Sequence, residues 1–104
     1  MEKEKTVSGF IGKSVVVRAD RAGVFVGNLK SRKGTEVVLE NCRRIFYWDG
    51  AASLSQLAID GVSKPENCKF PESVQEALIL GVIEIIPMTE KAVKSINGVS
   101  VWKK

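Results

Sequence analysis

The chain has 104 residues, 44% of them apolar and 27% charged, the proportions of a single soluble globular domain. It contains no histidine, and its two cysteines, Cys42 and Cys68, form neither a CxxC pair nor a four-ligand zinc set. Catalysis, a metal site and a resident cofactor are therefore disfavoured, whereas 16 Lys+Arg against 12 Asp+Glu, a net +4, favours an anionic partner.

Residues 1–13 read as a flexible, charged leader without an apolar stretch of signal-peptide length, so a cytoplasmic protein is expected. Ser14 to Ala19 (SVVVRA) is valine-rich and predicts a first strand, followed by a turn at Asp20-Arg21-Ala22-Gly23. Val24 to Lys30 predicts a second strand, with Gly27 inside it marking a bulge or bend. Ser31-Arg32-Lys33-Gly34 reads as a turn and Thr35 to Glu40 as a third strand. Asn41 then interrupts the pattern, and Cys42 to Trp48 (CRRIFYW) reads as a fourth strand. Short strands joined by tight turns point to an antiparallel meander.

The pattern changes after Trp48. Asp49 is an expected N-cap and Gly61 an expected stop, with Leu54, Leu57 and Ala58 on one helix face between them. Residues 62–71 read as a loop, and Val74 to Leu80 fits helix or strand equally. Gly81 to Pro87 (GVIEIIP) predicts a buried strand, Thr89 to Asn97 a short helix stopped by Gly98, and Val99 to Trp102 a closing strand. The longest apolar run, Ala77 to Ile86, is interrupted by Gly81 and Glu84 and is too short to span a bilayer, so no membrane partner is expected. The expected architecture is mainly β (α+β): a small antiparallel barrel over 14–104, with one or two short helices and a helical insertion around 50–60.

Gly27-Asn28-Leu29 and Val37-Val38-Leu39-Glu40-Asn41, within the stretch from Ser14 to Ile45, resemble the first motif of Sm-like small β-barrels. The resemblance implies an Sm-like or SH3-like barrel that assembles through its strand edges into homo-oligomers. The turn Ser31-Arg32-Lys33-Gly34 lacks the asparagine with which RNA-binding Sm proteins read uridine, and residues 49–70 are foreign to that family. The strings RRIFYWDGAASLSQLAIDGVSKPENCKF, VIEIIP and INGVSVW resemble a family of small proteins encoded by tailed bacteriophages and prophages. That likeness implies a phage protein acting in the host bacterial cytoplasm, as an inhibitor of a host system or an accessory binding module.

The segment RRIFYWDGAASLSQ carries the clearest chemical signal. Arg43 and Arg44 offer charge, Tyr47 and Trp48 offer rings, and Gly50, Ala51, Ala52 and Ser53 leave the amides of an expected helix start unobstructed. Ser55 adds a hydroxyl, and Lys69 is placed to close over an anion. Charge for a phosphate and a ring for a base together suit a small nucleotide-like ligand. The same residues also fit a plain packing role, with Phe46 and Trp48 in a core and GAAS as a close helix–strand contact.

The first functional expectation is a non-catalytic, phage-encoded, anti-defence sponge that sequesters a host nucleotide-type immune signal. A protein-directed inhibitor or virion accessory protein is the first alternative, using an edge strand or aromatic patch. A nucleic-acid-binding Sm-like barrel is the second, its mark being steep salt dependence.

Overall fold

Val15, Val16 and Val17 are all buried, which a half-exposed strand would not allow. The computed structural model, which describes residues 9–103, shows why. Strand β1 (Ser14–Ala19) lies inside an antiparallel sheet that is covered on both faces. It pairs with β2 (Gly23–Lys33) on one side and β5 (Val82–Pro87) on the other. Strand β3 (Glu36–Arg44) follows β2, and β4 (Val74–Ile79) follows β3, giving the order β4-β3-β2-β1-β5.

Two cores flank the sheet. Val15, Val17, Phe25, Leu29, Val37, Leu39, Cys42, Ile79 and Val82 form one, to which all five strands contribute. Both edge strands reach that cluster, so the sheet is curled strongly enough to enclose it. Val16 and Val26 point the opposite way, into a second core with Ile45, Leu57, Ala58, Phe70, Ile96 and Val99. Helices α1 (Leu54–Asp60) and α2 (Glu90–Asn97) supply the far side of that layer. The expected small, mainly antiparallel barrel with two short helices is the fold observed.

The curl is set where β2 and β3 cross. Register moves from Val26↔Arg43 to Asn28↔Glu40, so Asn41 and Cys42 together face Gly27. Asn41 takes φ 52°, the left-handed region open to asparagine, and makes a bulge within a single strand. A Cβ on Gly27 would lie 2.9 Å from the Glu40 carbonyl oxygen, so glycine is required for this approach. The expected third and fourth strands are thus one bent strand ending at Arg44, because the bulge bends the chain without breaking its pairing.

Other boundaries also differ from expectation. Strand β2 runs on to Lys33, with Gly34 (φ 59°) and Thr35 alone forming the turn. The segment 74–80 resolves as a strand, since β3 offers a free edge to pair with. Residues 99–102 make only an isolated parallel bridge, Val101 to Phe70, instead of a closing strand. Of the expected flexible leader, residues 1–8 lie outside the described residues. Residues 9–13 pack down: Phe10 rests on the first core, and the Gly12 amide donates to Leu29 O at 2.7 Å.

Helix α2 is capped by Thr89. Thr89 Oγ1 accepts from the Ala92 amide at 3.1 Å and donates to Ile59 O, tying the start of α2 to the end of α1. Among the described residues no helix is long and apolar enough to cross a membrane.

Candidate functional site

Arg43, expected to bind a ligand, turns inward and is 6% exposed. Its Nε donates to Pro71 O at 2.8 Å and its Nη1 to Ile96 O at 2.9 Å. Nη2 donates to Phe70 O at 3.2 Å and Val99 O at 2.8 Å. The guanidinium therefore gathers carbonyls from the 70–71 segment, the end of α2 and Val99; Phe70 O and Ile96 O also accept backbone amides, from Trp102 and Val99. Burial lowers its pKa from the ordinary arginine value, though not far enough to discharge a group of this basicity. Arg43 is a structural hub, with four of its five N–H groups given to backbone carbonyls.

Arg44 points to the opposite face of β3. Its Nη1 donates to Ala22 O at 2.7 Å, and its guanidinium carbon sits 4.5 Å from the Phe25 ring centroid. There it borders an apolar groove of about 910 Å³ that also includes Leu78 and Leu80. The two neighbouring arginines thus serve separate regions, because strand alternation sends them to opposite sides.

The expected anion-binding helix start is not formed. Helix α1 begins at Leu54, four residues later than an Asp49 cap implies, and has only seven residues. Ser53 is the cap, its Oγ accepting from the Gln56 amide at 3.2 Å, while Gln56 Oε1 accepts from the Ala52 amide at 2.8 Å. Of the amides expected to receive a phosphate, that of Ala52 is thus already engaged. Asp49 instead accepts from the Asn67 side-chain amide at 2.9 Å. Gly50 (φ 92°) is pressed against the Ser63 backbone, Ala51 packs on the second core, and Ser55 is exposed on α1. Trp48 also packs on that core, its Nε1 donating to Ala51 O at 3.2 Å. These residues build a packed turn.

Tyr47 and Lys69, by contrast, are brought together. The Lys69 amide donates to Tyr47 O at 2.8 Å, and Tyr47 N donates back to Lys69 O at 3.2 Å. Phe46 N shares that same acceptor at 3.2 Å. One residue further on, Phe70 O accepts from Trp102 N at 3.0 Å. Phe46 and Trp102 therefore hang from adjacent positions of one segment and stack, with centroids 5.3 Å apart and planes within 5°. Lys69 Nζ lies 5.7 Å from the Trp102 ring centroid. Phe46 remains 60% exposed and Tyr47 51%, so the stack presents ring faces and an ammonium to solvent.

Phe46 and Trp102 are the members of this face that the sequence reading did not assign as ligand-binding. The residue that signals it is Trp102, a large aromatic that alternates with polar Ser100 and not with Val99 and Val101. Phe46 gives no such signal, because strand alternation through residue 48 would have paired it with Trp48. The strand ends at Arg44, and that alternation ends with it.

The curled five-stranded sheet is that of an Sm-like small barrel. The crystal structure of the P.aerophilum SmAP1 heptamer superposes with a TM-score of 0.54 at 21% identity, covering 86% of this chain and 96% of that one. The chain itself belongs to the family described as a domain of unknown function (DUF6948), whose profile matches residues 12–96. No curated protein matches it.

Proposed function

We propose that this protein is a non-catalytic, oligomeric binding module that sequesters a nucleotide-type ligand at the Phe46–Tyr47–Lys69–Trp102 face. The observation that carries this reading is the solvent-facing Phe46–Trp102 stack with the Lys69 ammonium beside it. A ring face accepts a base in stacking, worth about 1–3 kcal/mol, and the lysine supplies attraction for a phosphate. A sequestering protein needs no reacting groups, in keeping with a chain that has no histidine.

Oligomerisation is supported by the Sm-like neighbour, which is a heptamer, and by the two unpaired sheet edges, β4 and β5. Leu78, Leu80 and Ile83, all more than half exposed, lie on or between those edges. A ring of copies would repeat the aromatic face around its circumference. The likeness to phage-encoded sequences makes a host immune messenger the nucleotide to be held, in the bacterial cytoplasm. A second reading, binding of single-stranded nucleic acid, draws on the Sm-like fold and the net +4 charge.

The test is a titration of the full chain with ADP, a cyclic dinucleotide and a poly-uridine 12-mer at two salt concentrations, read by tryptophan fluorescence. Saturable quenching by a mononucleotide or cyclic dinucleotide, with shallow salt dependence and loss in Trp102→Ala, is the expected result. Binding confined to the oligomer with a steep salt slope would replace sequestration by the nucleic-acid reading. No response to any probe would remove both.

A further inference from the structure

A second polar site lies on the opposite side of Arg43, where α2 crosses the bend of β2 and β3. A cavity of about 460 Å³ opens there, of a size suited to a small ligand. Its lining contains three asparagines, Asn28, Asn41 and Asn97, together with Ser14, Ser73 and the buried Arg43. Ser14, Met88 and Val93 continue into an adjoining hollow of about 320 Å³ that is flanked by Lys13 and Lys94, with Glu90 the one carboxylate. Among the described residues neither Lys13 nor Lys94 takes part in an ion pair.

The charge balance of this cleft is positive. Arg43 makes its four hydrogen bonds to backbone carbonyls and meets no carboxylate among the described residues. Four bonds from five N–H groups leave one Nη1 hydrogen without a protein partner there. A buried guanidinium without a counter-ion, with two lysines at the other end, attracts an anion. Neutral amides and hydroxyls supply donors and acceptors, Ser14 Oγ donating to Asn28 Oδ1 at 2.9 Å and so orienting that amide, while no aromatic ring lines either hollow to stack a base.

We infer that this cleft binds a phosphorylated sugar, its hydroxyls against the asparagine and serine side chains and its phosphate toward Lys13 and Lys94. The sugar phosphate arrives free or as the ribose phosphate of a nucleotide. The site does not depend on the aromatic face, which belongs to another part of the surface.

The test uses ribose 5-phosphate and uridine monophosphate as probes against the full chain, with side-chain amide NMR and calorimetry. Ribose 5-phosphate is expected to shift the amide signals of Asn28, Asn41 and Asn97. Asn97→Asp and Lys94→Ala, both at exposed positions, are expected to weaken its binding at least tenfold while leaving the melting temperature near wild type. Phe46→Ala is expected to leave it unchanged. If uridine monophosphate is also lost in Asn97→Asp, the cleft takes the nucleotide's ribose phosphate. If it is lost only in Phe46→Ala while ribose 5-phosphate still binds, the cleft takes the free sugar phosphate. Unshifted asparagine signals, or ribose 5-phosphate binding that ignores Asn97→Asp and Lys94→Ala, would overturn the inference whatever happens at the aromatic face.

Discussion

Arg43 shows how one side chain is assigned by its surroundings. A basic pair in the sequence reads as surface charge, yet Arg43 joins Phe70, Pro71, Ile96 and Val99 through their carbonyl oxygens. Through Phe70 O, which also accepts from Trp102 N, it helps to hold the C-terminal segment beside Phe46. Arg43→Met keeps the aliphatic stem and removes the donors, leaving the Pro71 and Val99 carbonyls without the partner that Arg43 gives them. We expect a loss of about 3–5 kcal/mol in urea denaturation, against about 0–1 kcal/mol for a surface arginine. A loss below about 1 kcal/mol would show that water or rearrangement satisfies those oxygens.

The two thiols make a related point. Cys42 sits in the first core and Cys68 in the second, both unpaired, so no disulfide joins them. Burial raises the pKa of each thiol from its ordinary value. A raised thiol pKa means that the unfolded chain ionises first as pH climbs. Stability is therefore unaffected by these groups at neutral pH and falls above about pH 8.5, toward the folded pKa values. Urea midpoints measured from pH 7 to 10 should decline, and the decline should be shallower in Cys42→Ala. An equal slope in both proteins would assign the alkaline loss to other groups.

At the scale of elements, the bend shared by β2 and β3 decides the architecture. Gly27 lets β3 pass close, and Asn41 in the left-handed region supplies the extra residue that turns it. The obstruction facing a Gly27 side chain is backbone, which cannot swing aside. Gly27→Ala is expected to cost about 1–3 kcal/mol and to lower the thermal midpoint accordingly. An Ala variant as stable as wild type would mean that the sheet can curl by another route. The sequence signals this bend well, because glycine inside a strand and asparagine after a valine run are local features. The fate of residues 74–80 was not legible in the same way. Their strand state depends on pairing with residues 37–42, distant in sequence.

At the scale of the whole molecule, the sheet order leaves β4 and β5 each with one unpaired edge, and exposed apolar side chains lie along them. Sedimentation velocity should give a mass that is a multiple of the single chain at micromolar concentration. Leu78→Glu combined with Ile83→Glu should dissociate it without unfolding, since both side chains already face solvent. A monomeric wild type would rule out edge-to-edge assembly. Assembly also bears on the size of the ligand that the proposed sites can hold, because each added copy repeats them.

The amino-acid sequence by itself determined the local features of this protein. Valine runs specify strands, Gly27 and Asn41 specify the bend, and Thr89 and Gly98 bound the second helix, because each acts through its own backbone and near neighbours. Tertiary structure alone decided which face each polar or aromatic side chain meets. Arg43 became interior because a loop and a helix end bring four carbonyls to it, and Trp48 became packing because the second core forms beneath it. Phe46 and Trp102 became partners across more than half of the chain because both segments hang from residues 69 and 70. No local pattern encodes that meeting, since it exists only when the sheet has curled and the C-terminal segment has closed over it.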